Sequence, residues 1–86
     1  MRILLIEDEE KVARFVSLGL KAEGFVVDCA QDGRSGLEYA LANPYDLIIA
    51  DLMLPELAGT ELILRVRNKN PTIPIIVVTA REQSQR

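Results

Sequence analysis

Histidine is absent from this 86-residue chain, and cysteine occurs once, at Cys29. A lone cysteine excludes an intramolecular disulfide framework. Without histidine or a second thiol, a zinc or iron–sulfur centre has no ligand set. Long apolar runs are missing too. Met1-Arg2 leads into a brief apolar stretch that an acidic cluster ends, too short for a signal peptide or a membrane span. Lysine and arginine form no cluster and the net charge is −3, so direct DNA binding by this segment is not expected. There is no internal repeat, low-complexity segment or linker. The simplest expectation is a cytoplasmic, reducing setting with no membrane association.

What is present is apolar sequence in short blocks. Hydrophobic residues make up 49% of the chain, enough for one small globular domain. The central block is Asp46-Leu47-Ile48-Ile49-Ala50-Asp51. Nothing in it alternates polar with apolar, which predicts a strand buried on both faces. It stops at a carboxylate, Asp51. Two other runs end alike: Ile3 to Ile6 gives way to Glu7-Asp8, and Ile73 to Val78, which opens on Ile73-Pro74, gives way to Thr79.

Between these blocks lie helical patterns. Glu9 to about Glu23 places Val12, Phe15, Val16, Gly19 and Leu20 on one stripe, with Glu10, Lys11, Arg14, Ser17 and Lys21 facing out. Gly24 suits the end of that helix. Phe25 to Ala30 reads as a strand, and Asp28 within it suits a sheet edge. Asp32-Gly33 signals a turn, Arg34 to Ala42 a short helix, and Asn43-Pro44 its end. Leu52 to Ala58 is a loop, Gly59 to about Lys69 a third helix broken by Asn70-Pro71, and Arg81 to Arg86 a polar end.

The order βαβαβαβ predicts a doubly wound parallel α/β sheet with three helices. With the second strand at an edge, the strand order is 2-1-3-4, and the direction of winding switches between the first and third strands. Ligands of such sheets bind at that crevice, beyond the carboxyl ends of the strands. Glu7, Asp8, Asp51 and Thr79 would converge there. Right-handed crossovers leave the first helix alone on its face. The fourth strand is as apolar as the central ones, yet nothing follows to pair with it, so the chain reads as cut short.

Carboxylates crowded together repel by roughly 1–4 kcal/mol per close pair. A hard divalent cation relieves this, and Mg²⁺ fits all-oxygen ligands. A metal beside one exposed Asp suits phosphoryl transfer, in which Asp can act as the nucleophile and form an acyl phosphate. Each residue also has a plainer reading. Asp51 could be a cap, Glu7-Asp8 the acidic start of a helix, Thr79 a strand residue and Met53 a loop side chain. Cys29 would be inert core, and Asp28, Asp46 and Glu56 solvated or capping groups.

Glu7-Asp8, Asp51-Leu52-Met53-Leu54-Pro55 with Gly59, and Thr79-Ala80 resemble the receiver domain of bacterial two-component response regulators. The Leu-Met-Leu-Pro run is most similar to regulators with a winged-helix DNA-binding output, the OmpR/PhoB-like subfamily. The resemblance spans residues 1–86 and implies a flavodoxin-like fold. It also implies a phosphoacceptor at Asp51, charged by a sensor histidine kinase, and Mg²⁺ held by Asp8, Asp51, Glu7 and the Met53 carbonyl. Thr79 would be the switch hydroxyl, and Ala80 would leave room for the phosphoryl group. Such a module signals rather than catalyses, beyond its own phosphorylation and dephosphorylation, and touches DNA only through an output domain not in this chain.

The family continues with a fourth helix, a fifth strand bearing a lysine and a fifth helix. By that measure residues 1–86 are the first two-thirds of a receiver. The alternative expectation is a signalling-inactive fragment that associates through its open edge as a homodimer or domain-swapped oligomer. A haloacid-dehalogenase-like phosphatase would also use Asp and Mg²⁺, but it needs a second Asp two residues on, where Met53 stands.

Overall fold

The computed structural model describes residues 1–51, 54 and 57–78. Strands β1 (Arg2–Ile6), β2 (Val26–Ala30), β3 (Leu47–Asp51) and β4 (Ile75–Val78) alternate with helices α1 (Glu10–Ala22), α2 (Gly33–Ala42) and α3 (Gly59–Lys69). The four strands form one parallel sheet in the order β2-β1-β3-β4. This is the doubly wound topology that the sequence pattern predicts.

β1 is buried on both faces because it lies inside the sheet and carries no polar side chain after Arg2. Ile3, Leu4, Leu5 and Ile6 are 0–3% exposed, and each such burial contributes about 1.5–3 kcal/mol. Side chains alternate across a strand. Leu4 and Ile6 join Ile48, Ala50, Leu62 and Val66 in the larger core, beneath α2 and α3. Ile3 and Leu5 point the other way and join Val27 beneath Ala13, Val16 and Leu20 of α1. One helix thus serves one face and two serve the other, as right-handed crossovers require. On β4, Ile76, Val77 and Val78 remain 45–49% exposed.

α1 ends in a Schellman motif. Gly24 takes φ +94°, its N–H donates to the Lys21 carbonyl and that of Phe25 to the Leu20 carbonyl. The left-handed φ is why glycine stands there. Asp32, in the expected turn, caps α2 by accepting from the Ser35 N–H at 2.7 Å.

Three expectations need correction. Ser17, placed outward by the period, is buried at 7% exposed and donates to the Arg14 carbonyl. Phe15, placed inward, is 80% exposed, Val12 is 42% exposed, and Gly19 on the same stripe is exposed too. The inward line runs through Ala13, Val16, Ser17 and Leu20, because α1 packs over β1 and β2 rather than centrally on the sheet. Cys29 is exposed rather than core. It shares strand parity with Val27, but on the edge strand it opens into a cleft of about 250 Å³ lined by Glu10, Ala13, Arg14 and Ser17.

Asp28 is not simply solvated. It accepts from the Arg2 guanidinium at 2.9 Å and from the Tyr45 hydroxyl at 2.7 Å. The Arg2 guanidinium also lies 5.1 Å above the Tyr45 ring, within cation–π range. The Tyr45 hydroxyl holds the Asp28 carboxyl below its usual range, assisted by Arg2. Burial, then the bond to Asp28, pushes Tyr45 up to about 12. This cluster ties β1 to β2 and to the segment before β3, at the sheet end opposite the acidic rim.

Candidate functional site

Parallel strands bring their carboxyl ends to one rim. Ile6 stands opposite Ala50 in the β1–β3 register, so the next residues along, Glu7 and Asp51, meet across the gap between the two strands. The Glu7 N–H donates to the Ala30 carbonyl at 2.9 Å. That extends the β1–β2 ladder by one residue and fixes where Glu7 points. Its carboxylate accepts from the Glu9 N–H at 3.0 Å, at the start of α1. Asp8 lies in the exposed turn between them. Asp51 is the last residue of β3, is 9% exposed and pairs in register with Val78.

Glu7, Asp8 and Asp51 each offer a carboxylate oxygen, and these oxygens lie within 4.8 Å of one another. The expected convergence therefore holds for all three acids. Met53, Thr79 and Ala80, also expected at this rim, lie outside the described residues.

Three like charges at this spacing are costly. Burial is the main reason that the Glu7 carboxyl is pushed above its usual range. The Glu9 N–H works against this, while the charges on Asp51 and Asp8 add to it. A set of hard, close, mutually repelling oxygens is the donor set that Mg²⁺ prefers, and a cation there offsets the repulsion. Beside it lies an open cleft of about 230 Å³, bounded by Glu7, Asp8, Glu9, Val12, Asp51 and Val78. Asp51 forms part of its wall. An apolar groove of Leu5, Val12, Val16, Ile49, Ile76 and Val78 continues from the site toward β4.

Sequence reasoning misses two wall residues. The helical period directs Val12 to the core, and Val78 stands out only as a member of its strand. A signal for Val78 does exist, since a residue opposite Asp51 on the neighbouring strand must flank it.

Comparison with known proteins agrees with this geometry. The response regulator receiver domain family matches residues 3–86. The response regulator ArlR of Staphylococcus saprophyticus is 48% identical over 83 residues, covering 96% of this chain. The chain spans 37% of that relative's length. The response regulator TrrA of Thermotoga maritima, solved in complex with Mg²⁺ and BeF, superposes with a TM-score of 0.89 at 32% identity, over 94% of this chain and 70% of that one. A structure of the histidine kinase ThkA in complex with TrrA matches with a TM-score of 0.85 at 31% identity, over 98% of this chain and 74% of that one. The chain belongs to the response regulator receiver domain family.

Proposed function

We propose that this member of the receiver family accepts a phosphoryl group on Asp51, with Mg²⁺ held by the rim acids, as the switch of a two-component regulator. The observation that carries the reading is the meeting of Glu7, Asp8 and Asp51 within 4.8 Å, at the edge of an open cleft. Asp8 and Asp51 would ligate Mg²⁺ directly, Glu7 would act through water and Met53 would offer its backbone carbonyl. When bound, the metal supplies charge neutralisation for phosphoryl transfer.

The chain's own part in the step is short. A carboxylate oxygen of Asp51 attacks phosphorus while the bond from phosphorus to the donor nitrogen of a sensor kinase phosphohistidine breaks. The electron pair leaves with the imidazole, which takes up a proton, and Asp51 becomes an acyl phosphate. The low exposure of Asp51 excludes bulk water from most of its surface. The Thr79 hydroxyl would donate to a phosphoryl oxygen, and Ala80 would leave it room. The output would be transcription regulation in the cytoplasm, through a DNA-binding domain outside this chain. Phosphorylation and dephosphorylation of its own aspartate would be its only chemistry.

The test is the intact mass after incubation with Mg²⁺ and a small acyl phosphate, beside Asp51→Asn. One base-labile phosphoryl adduct, absent from the variant and dependent on Mg²⁺, is expected. An adduct that survives in Asp51→Asn, or none in the parent, contradicts the assignment.

A second reading is favoured by β4, whose Ile76, Val77 and Val78 are 45–49% exposed at the sheet edge among the described residues. Two copies pairing there would bury apolar surface at about 25 cal/mol per Å². Light scattering that stays monomeric across concentrations would refute it.

A further inference from the structure

Two glycines of α2 are seats for the two chain segments that carry the acidic site. Gly33 and Gly36 lie three residues apart, on one face of the helix, and both are buried. A Cβ at Gly33 would overlap the backbone carbonyl oxygen of Leu57 and come within 2.6 Å of the Leu57 Cβ. Leu57 belongs to the chain running from Asp51 to α3 and packs, with Leu54, against the larger core. A Cβ at Gly36 would meet the Ile6 side chain at 2.6–2.9 Å, and Ile6 immediately precedes Glu7 and Asp8. The helix is itself anchored at this end. Asp32 accepts from the Ser35 N–H through its side chain at 2.7 Å and from the Gly36 N–H through its carbonyl at 2.9 Å.

From these contacts we infer that the Gly33–Gly36 face of α2 positions the phosphorylation site. Gly33 sets where the chain lies at Leu57, between Asp51 and α3, and Gly36 sets the height of the β1 end that presents Glu7 and Asp8. Neither glycine touches the reacting atoms. Both act through the segment seated on them. A methyl group at Gly33 meets backbone, which cannot swing aside as a side-chain end can, so the chain at Leu57 must move. A displacement of about 1 Å at a reacting group can cost on the order of a hundredfold in rate. At Gly36 the obstacle is a side chain, so the effect is smaller and falls on the metal acids.

The inference rests on the phosphoacceptor reading, and the experiment separates the two. For the 86-residue chain and its Gly33→Ala, Gly36→Ala and Gly19→Ala variants, the Mg²⁺ dissociation constant is measured by calorimetry. The initial rate of adduct formation with acetyl phosphate is measured by intact mass. Both are taken at a temperature where circular dichroism shows each chain folded. At Gly19, in α1, an added Cβ would have no atom within 4 Å, and its variant serves as the unchanged control.

Gly33→Ala is expected to slow adduct formation about tenfold or more, and Gly36→Ala to weaken Mg²⁺ binding several-fold. Adding Ile6→Val to Gly36→Ala removes the atom at 2.6 Å and should restore part of the metal affinity, which a general loss of packing would not. If Gly33→Ala does not fold, the Gly36 pair decides alone. Parental rate and affinity in the folded glycine variants overturn the inference and leave the phosphoacceptor reading intact. No Mg²⁺-dependent adduct on the parent overturns that reading, and this inference with it.

Discussion

Asp51→Asn should make the metal-free protein more stable while removing its response to Mg²⁺. The carboxylate oxygens of Glu7, Asp8 and Asp51 lie within 4.8 Å of one another. Two unit charges at that distance interact by about 0.9 kcal/mol in water and about 3.5 kcal/mol at an effective dielectric of about 20. Asp51 is 9% exposed, so its repulsions lie between these limits. Replacing it with the near-isosteric amide removes them and keeps the shape. A gain of about 1–3 kcal/mol in unfolding free energy is expected without metal at pH 7. With a urea slope on the order of 1–1.5 kcal/mol per M, the midpoint rises by about 0.7–3 M. In the parent, Mg²⁺ at ten times its dissociation constant adds about 1.4 kcal/mol, whereas the variant gains little. Urea unfolding followed by circular dichroism, with and without Mg²⁺, measures both effects. The reasoning is refuted if the variant is no more stable than the parent without metal, or if Mg²⁺ stabilises both equally.

Tyr45→Phe removes the 2.7 Å hydrogen bond to Asp28 and should cost about 1–2 kcal/mol at neutral pH. The Tyr45 hydroxyl titrates near 12 in the folded chain, against 10 when unfolded. Its contribution is therefore complete below pH 10 and lost as pH rises from 10 to 12, by up to about 3 kcal/mol. Urea midpoints of parent and Tyr45→Phe should converge and then cross within that window, and parallel curves would contradict the assignment. Asp28 is shifted the other way, so its share is present above its unfolded value of 3.8 and is lost as pH falls through its lower folded value. The same pair should converge again in acid. Gly24→Ala meets no atom but forces alanine into φ +94°, costing about 1–2 kcal/mol in thermal or urea unfolding. Leu62→Ala, at a side chain 1% exposed in the larger core, should cost about 2–5 kcal/mol.

Much of the architecture was legible because its signals are local. An apolar run without alternation is a strand covered on both faces, and β1 and β3 are covered in that way. Asp28 marked β2 as an edge, which fixes the order β2-β1-β3-β4 once crossovers are right-handed. The rim acids were legible for the same reason. A residue that follows a parallel strand has nowhere to go but the carboxyl end of the sheet.

The errors on α1 share one physical cause. Helical period locates an apolar stripe to within about one residue, or about 100° of rotation, and the strands beneath decide which side of it turns inward. α1 sits over β1 and β2, so Ser17 is covered and Phe15 faces solvent. Cys29 has the parity of a core residue but lies on the edge strand, where a cleft stays open between it and α1. Asp28 finds Arg2 and Tyr45 across 26 and 17 residues of chain, and no local pattern carries a pairing of that length.

By itself, then, the sequence determined the number and type of elements, their parallel order, and the placing of Glu7, Asp8 and Asp51 at strand ends, because each follows from residue types within a few positions. Only the tertiary structure decided how close those acids come and how deeply Asp51 is buried. It alone decided which face of α1 is covered, and that Gly33 and Gly36 lie where Leu57 and Ile6 leave no room for a side chain. Those quantities depend on distances between segments remote in the chain, and packing sets such distances only after every element is in place.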